Sequence, residues 1–187
     1  MHTTQLPQQV DRFFARQDWL DDHADHLQEL IHDGFSAAGE LGHEVEDVLH
    51  GKFLGHPLHP VLIELPIGAW VTVGVLDLLE VLGVKGLEKG SNAVLGIGLL
   101  GSGAAVAAGW TDWHKLKRLP RRIGLVHGLM NETAQAVYLL SLIARLKGRR
   151  RAGRMLALGG LSIIGVSAYL GGHLVYKHRV GMGGPLR

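Results

Sequence analysis

Four long apolar segments constrain this chain more than any other feature. Each is about 20 residues or longer, enough for a helix to cross the ~30 Å hydrocarbon core of a bilayer. They cover residues 61–84, 91–110, 123–144 and 155–176, and the charged residues crowd into short connectors between them. Hydrophobic residues make up 47% of the chain and charged residues only 19%, which agrees with a membrane location. The sequence therefore predicts an all-α integral membrane protein, a four-helix bundle in up-down order.

The first 50 residues have a different composition, rich in Asp, Glu, Gln and His. Their apolar residues recur at roughly helical spacing, which predicts one or two amphipathic helices on the membrane surface or against the bundle. Asp21 or Asp22 is expected to cap the second helix and Gly34 to end it. We interpret the histidines His23 and His26 as part of an acidic solvated face. The expected domains are an extension at 1–50, a four-span domain at 51–181 and a tail at 182–187.

Composition excludes several kinds of function. The chain contains no cysteine, so disulfides, thiolate metal sites and cysteine-bound iron–sulfur clusters are excluded and histidine must lead any metal chemistry. A formal net charge of +2 does not favour nucleic acid, and we interpret the basic clusters as topology determinants and contacts to anionic lipids. Residues 1–16 have no apolar core of the signal-peptide type, so the first span is expected to act as the insertion signal.

The stretch "FLGHPLHPVLIELPIGAW", residues 53–70, places two His-Pro pairs before the first span. A residue that precedes proline is disfavoured in the α region, so His56 and His59 are expected to be extended and outside any helix. Pro60 suits the first helical position, and Pro66 removes a backbone donor one turn further on. The sequence therefore predicts that the helix is loosened near Leu62.

The histidines around the spans share one end of the predicted bundle. Antiparallel spans with short loops bring the start of span one, the end of span two, the start of span three and the end of span four to the same membrane face. Glu64 and Asp112 belong to that end as well. The histidines of this face are His56, His59, His114, His127, His173 and His178.

Span three carries a polar stripe, because Asn131, Gln135 and Tyr138 follow His127 at helical spacing. Polar side chains at membrane depth are costly unless they are paired. For Asn131, Gln135 and Asp77 we favour interhelical hydrogen bonds. His127 and His173, at matching depth on different spans, predict a haem or metal held between helices.

Five motifs resemble a bacterial membrane family catalogued as domain of unknown function 2231. They are "LHGKFLGHPLHPVLIELPIGAW" at 49–70, "LDLL" at 76–79, "GWTDW" at 109–113, "HGLMN" at 127–131 and "YLGGHLVYKHRVG" at 169–181. The resemblance implies four transmembrane helices, and some members resemble fusions with Rieske-type iron–sulfur domains, which implies electron transfer. The motif positions that match are His56, His59, Asp77, Asp112, His127, Asn131 and His173.

Two classes of function follow from these features. The first is a redox protein in which His127, His173, His59 and His56 bind a b-type haem, or the first three bind a transition metal, supported by Glu64, Asp77, Asp112 and Asn131. It would be an oxidoreductase-type membrane subunit if it is an enzyme. The second is a cofactor-free bundle that acts as a small-solute or proton pathway or as a scaffold.

The sequence also limits the candidate binding partners and the expected cellular location. Candidate partners are membrane lipids, a quinone or redox partner protein, and further copies of the chain in a homo-oligomer, but no nucleic acid. The expected location is the bacterial cytoplasmic (inner) membrane. Lysine and arginine are slightly more numerous on the side of the termini, which favours cytoplasmic termini.

Overall fold

The computed structural model describes residues 5–182 of the 187-residue chain, and the regular secondary structure of this part is helical. The all-α class is therefore confirmed. A short 3₁₀ turn, Lys52–Leu54, follows the third helix. The helices are α1 (Gln5–Ala15), α2 (Trp19–Ala37), α3 (Gly39–Leu49), α4 (His59–Leu62), α5 (Glu64–Val81), α6 (Glu88–Trp113), α7 (Arg118–Leu146) and α8 (Arg150–Tyr176).

Within the described residues, three helical segments are long and apolar enough to cross a membrane. They are His59–Val81, Glu88–Trp113 and Arg150–Tyr176, which correspond to the predicted first, second and fourth spans. The predicted third span lies inside α7, which is helical throughout but carries the charged residues Glu132 and Arg145. The four-span bundle thus stays a prediction, because α7 combines its apolar residues with a polar stripe.

Helices α6, α7 and α8 are longer than the apolar segments predicted, whereas the first segment ends at Val81 and not at the predicted Val84, because the chain turns at Gly83. Residues 111–113 and 118–122, which the sequence assigned to a connector, instead end α6 and begin α7. Charged residues fit on helix ends because solvent or headgroups reach them there. Two connectors turn at glycines with left-handed backbone, Gly83 (φ 99°) and Gly148 (φ 75°), a conformation that costs glycine little.

The entry to the first candidate span is partly as predicted. His56 lies outside any helix, but His59 begins α4, so the prediction of an extended His59 was wrong. Pro60, with its φ already suited to a first helical turn, accounts for this early start. The loosening near Leu62 is confirmed, since α4 ends at Leu62 and α5 begins only at Glu64. Pro66 has no N–H to donate to the Leu62 carbonyl, which explains the break.

The extension contains three helices, so the prediction of one or two was too low. Gly34 lies inside α2 and does not end it. Its backbone is not in the left-handed conformation that a helix-terminating glycine adopts, so the helix continues to Ala37. Asp21 and Asp22 lie in the first turn of α2 and are not its cap, a position that belongs to Asp18. Carboxylates in this turn stabilise the positive end of the helix dipole.

Two compact units divide the chain. One contains the described residues of Met1–His59, Ala107–Gly128 and Ala168–Arg187, and the other contains Pro60–Val106 and Leu129–Ser167. This division follows packing and passes through helices. The sequence-based boundary at residue 50 stays a prediction.

The second unit has an aromatic core. Trp70 and Tyr138 stack with ring centroids 4.2 Å apart, and both are buried. Gly98 is needed there because a Cβ atom would lie 2.6 Å from Nε1 of Trp70. Side-chain hydrogen bonds join helices in this unit: Gln135 donates to Ser102 at 2.8 Å, and Ser167 donates to Asn131 at 2.7 Å.

A buried ion pair lies at the other end of the same unit. Arg145 donates to both carboxylate oxygens of Asp77 and, at 2.9 Å, to Ser91. Arg150 joins the network through Glu80, with Nη2 2.8 Å from Oε1. These bonds connect α5, α6, α7 and α8 within the unit. Asp77 is therefore engaged in interhelical bonds, as favoured from the sequence.

Candidate metal centre

The first unit contains two groups of histidine and carboxylate side chains that are close enough to share an ion. In each group one potential ligand atom per residue lies within 4.8 Å of the others. One group is Glu46, His50 and His114, and the other is Asp11, His173 and His178. The two groups differ in which ring nitrogen of each histidine carries the proton.

Helix α3 supplies two members of the first group. Glu46 and His50 are four residues apart, so they lie one above the other on one helical face. His114 comes directly after the last residue of α6, and its N–H still donates to the Trp110 carbonyl at 3.0 Å. Gly42 lets α2 and α3 meet closely, because a Cβ atom there would lie 2.0 Å from the carbonyl oxygen of Phe35.

Both histidines of this group present a bare Nε2. His50 Nδ1 lies 2.7 Å from Oδ1 of Asp112, and His114 Nδ1 lies 2.6 Å from the carbonyl oxygen of Thr111. A carboxylate and a carbonyl can only accept, so both Nδ1 atoms must carry the proton. In a neutral imidazole the other nitrogen then has only a lone pair. Among the described residues, Nε2 of His50 is buried without a hydrogen-bond partner.

The two Nε2 atoms face one carboxylate oxygen. Oε1 of Glu46 lies 3.7 Å from Nε2 of His50 and 3.4 Å from Nε2 of His114. These separations exceed the about 2.7–3.2 Å of an N–H···O bond. They match the roughly 3.4 Å between two ligand atoms of a tetrahedral ion with bonds of about 2.0–2.2 Å. The carboxylate oxygen is thus spaced from each Nε2 as two ligands of one metal ion are, and all three groups offer ligand atoms within 4.8 Å of one another.

Local electrostatics keep these groups in the forms that bind a cation. Burial lowers the pKa of His114, with help from the Lys115 ammonium and against the hydrogen bond to Thr111, so the ring is neutral at pH 7. Burial raises the pKa of Glu46, but the contact with the Lys115 ammonium is the main cause that lowers it, and the net pKa lies below its usual range. Nζ of Lys115 lies 2.7 Å from Oε1 of Glu46 and is the cation that now balances this carboxylate.

The second group is already satisfied by its own hydrogen bonds. Oδ1 of Asp11 accepts from Nε2 of His173 at 2.7 Å and from Nε2 of His178 at 2.9 Å. Both Nε2 atoms therefore carry protons and offer no lone pair. Burial raises the pKa of Asp11, but these bonds outweigh it and the net pKa is lowered. The bond between Asp11 and His173 holds α1 against the last turn of α8.

The histidines predicted from the sequence occupy several places. His59 and His127 lie ring against ring, perpendicular, with centroids 6.3 Å apart. Glycines make room for both, since a Cβ atom on Gly171 or Gly109 would lie 2.9 Å from the ring of His127 or His59, respectively. His173 belongs to the Asp11 group described above. Cofactor binding by these residues stays a prediction.

The other predicted residues lie apart from this pair. His56 is exposed, with Nδ1 3.1 Å from the carbonyl oxygen of Pro57. Glu64 is exposed at the first position of α5. Asp112, predicted as a supporting residue, lies beside His50, whereas Asp77 and Asn131 bond within the second unit.

Sequence reasoning missed Glu46 and His50. The signal was present in "EVEDVLH", residues 44–50, where a glutamate and a histidine four apart share a helical face opposite the apolar residues. His114 was assigned to the histidine-rich face but not to a ligand set. What the sequence could not give was the rotation of α3 that brings this face to His114.

Three helical segments long and apolar enough to cross a membrane are typical of helical membrane proteins. The model of the family described as "Predicted membrane protein (DUF2231)" matches residues 55–184, and the chain belongs to this family. This confirms the resemblance seen in the motifs. The matched region includes Asp112 and His114, while Glu46 and His50 precede it. No match was found among curated proteins or among solved structures.

Proposed function

We propose that this membrane protein binds a divalent transition-metal ion of the zinc type through Glu46, His50 and His114, named here the α3 site. The observation that carries the proposal is the convergence of two imidazole lone pairs on one carboxylate oxygen, at 3.4 and 3.7 Å. Two histidines and a glutamate are a ligand set that zinc uses when it keeps an open coordination position.

The hydrogen bonds behind the ligands support the same conclusion. Metal-binding histidines commonly donate their other N–H to a carboxylate or a backbone carbonyl, which fixes the ring and its tautomer. Asp112 does this for His50, and the Thr111 carbonyl does it for His114. The Lys115 ammonium reaches Oε1 of Glu46 but leaves the buried Nε2 of His50 without a donor. An ion between Oε1 and Nε2 satisfies both atoms.

Lys115 is compatible with metal binding. Its side chain is 48% exposed, so the ammonium can leave Glu46 for solvent when a metal ion takes its place. Three protein ligands leave one position of a tetrahedral ion for water or a small ligand. Binding of a metal with such an exchangeable position is the proposed activity.

A haem bound by His127 and His173 with His59 and His56, or a metal bound by His127, His173 and His59, is the second proposal. It would supply the electron transfer to a quinone or partner protein expected from the resemblance. The contact of His59 with His127 favours a common site for these two residues. The hydrogen bond from Nε2 of His173 to Asp11 favours the α3 site, because haem ligation would require that nitrogen.

Metal titration of the full chain tests the proposal. The protein is purified in detergent, stripped with a chelator and titrated with zinc in a calorimeter. We expect about one tight equivalent, and at least about a hundredfold weaker binding for His50→Ala and for His114→Ala, since even outer partners of metal ligands are worth 10–100-fold. His26→Ala, an exposed histidine of α2, is the matched control and should bind as the parent does.

Three further outcomes would each decide between the proposals. Equal zinc binding by the parent and by His50→Ala would contradict the α3 site. A Soret band in protein from haem-supplied cells, lost in His127→Ala and His173→Ala, would support the haem proposal. A colourless preparation that binds no metal would leave the cofactor-free bundle.

A further inference from the structure

Three apolar residues of helix α3 are exposed on its surface. Leu41, Val45 and Val48 recur at four and three residues, so they form one stripe along the helix. Their exposed fractions are 66%, 44% and 54%, whereas His50 on the opposite face is buried. A helix that packs on a protein in water shows the reverse arrangement. We therefore expect an apolar surface, of lipid or of protein, to cover this stripe.

Helix α3 is bonded to the end of a candidate membrane span. The hydrogen bond from His50 to Asp112, 2.7 Å long, holds α3 against the last turn of α6, a helix that could span the membrane. The chain itself sets a second limit, because only five residue steps lead from Leu54 to His59, where another candidate span begins. At up to ~3.5 Å per residue, these cover at most about 18 Å.

The apolar surface continues toward that span. Phe53 and Leu54, in the 3₁₀ turn after α3, are 67% and 41% exposed. Exposed aromatic and aliphatic side chains just outside a span are typical of the headgroup region. The stripe and this turn thus follow each other along the chain, and both expose apolar side chains just before a candidate span.

We propose that the stripe of Leu41, Val45 and Val48 inserts into the headgroup and acyl boundary of the lipid bilayer, so that α3 is an interfacial helix. The exposed side chains Glu40 and Glu44 beside it are acidic, and Lys52 is paired with Asp47 at 2.5 Å. Insertion is therefore driven by the apolar residues and needs no anionic lipid. The proposal does not depend on metal at the α3 site.

Spin labelling of the full chain tests this directly. The chain has no cysteine, so single cysteines can be placed at Leu41, Val45 and Val48 without a background. His43, which is exposed on the other side of α3, gives the matched control. The variants are reconstituted into phosphatidylcholine nanodiscs, with and without phosphatidylglycerol. Circular dichroism confirms that each variant remains helical.

The readout is collision of the nitroxide with oxygen, which enriches in lipid, and with a water-soluble nickel complex. We expect an oxygen-to-nickel ratio several-fold higher for Leu41→Cys, Val45→Cys and Val48→Cys than for His43→Cys, in both lipid mixtures. Nickel access equal to that of His43→Cys would place the stripe in water and overturn the proposal. Protection from both reagents would mean that a second copy or another protein covers it, which also overturns the proposal.

Discussion

The Nδ1–H of His50 donates to Oδ1 of Asp112 across 2.7 Å, and this bond leaves Nε2 of His50 free to bind a cation. We expect Asp112→Ala to weaken zinc binding by about 10–100-fold, because the imidazole loses the partner that fixes its tautomer and orientation. Asp112→Asn should lose less, since an amide oxygen still accepts the bond. Calorimetric titration with zinc measures both, and unchanged affinity in Asp112→Ala would argue against this role.

Lys115 competes with the metal for Glu46. Its ammonium lies 2.7 Å from Oε1 and must be displaced when an ion binds there. Since an exposed ion pair is worth about 0.2–1 kcal/mol, Lys115→Met is expected to strengthen zinc binding up to about fivefold. Lys117→Met, an exposed lysine two residues on, is the control and should change nothing. Weaker binding in Lys115→Met would mean that Lys115 positions Glu46 instead of competing.

Zinc affinity should hold at neutral pH and fall in acid. Protons compete for Nε2, and a histidine in its ordinary environment takes one near pH 6.5. Because burial lowers the pKa of His114, its neutral ring persists to lower pH than usual. We therefore expect little change in affinity between pH 8 and 7 and a decline below about pH 6. Calorimetry across this range checks it, and a decline that begins above pH 7 would be inconsistent with a neutral, buried His114.

Arg122 attaches the extension to α7. Its guanidinium contacts both carboxylate oxygens of Asp21, at 2.9 and 2.5 Å, and donates to the carbonyls of Phe14 and Ala15 at the end of α1. Lysine cannot reproduce this fork. We expect Arg122→Lys to lower the free energy of local opening of α1 and α2 by about 1–3 kcal/mol, seen as faster amide hydrogen exchange. Arg118→Lys is the control, and equal protection in both variants would contradict the prediction.

The same contacts predict that the extension loses stability in acid, below about pH 4. The hydrogen bonds from Arg122 and Arg121 lower the pKa of Asp21 to about 2. A carboxyl whose folded pKa is depressed stabilises the fold above its unfolded value of about 3.9, and this contribution disappears as pH falls toward the folded value. Exchange protection of α2, corrected for intrinsic rates, should therefore be lost as pH falls from about 4 toward 2, and Asp21→Asn should remove this part of the pH dependence. The same pH dependence in the parent and in Asp21→Asn would show that Asp21 is not held this way.

The ion pair of Asp77 and Arg145 should behave as a buried one. The Arg145 side chain is fully buried and the Asp77 side chain is 10% exposed. Removing one partner leaves a buried charge, so Arg145→Met is expected to cost about 3–5 kcal/mol. The double variant with Asp77→Asn should cost clearly less, because no unpaired charge remains. Thermal unfolding in detergent compares them, and equal losses would speak against charge burial as the cause.

The sequence predicted the helices well where a long apolar run determines the structure. The first, second and fourth spans were located because a 20-residue apolar run has few alternatives to a membrane helix. The break after Leu62 followed from Pro66, a local effect. Helix ends were predicted too short, since charged residues such as those at 118–122 continue a helix once an acidic partner lies nearby.

The site was harder to predict because it depends on helix rotation. Asp112 was recognised as a supporting residue from its position, but its partner His50 lies 62 residues away in a segment read as a solvated extension. His173 was expected to face His127, yet Asp11 from α1 takes its Nε2. Neither pairing can be recognised from the spacing of residues along the sequence, since packing between distant segments determines both.

X-ray absorption at the zinc edge of the metal-loaded full chain tests the α3 site most directly. For the parent we expect a nitrogen and oxygen shell at about 2.0–2.1 Å, with the outer-shell scattering of two imidazoles. In the double variant His50→Ala with His114→Ala the imidazole scattering should vanish, while His26→Ala should keep it. A parent spectrum without imidazole scattering, or one unchanged in the double variant, would show that Glu46, His50 and His114 do not hold the metal.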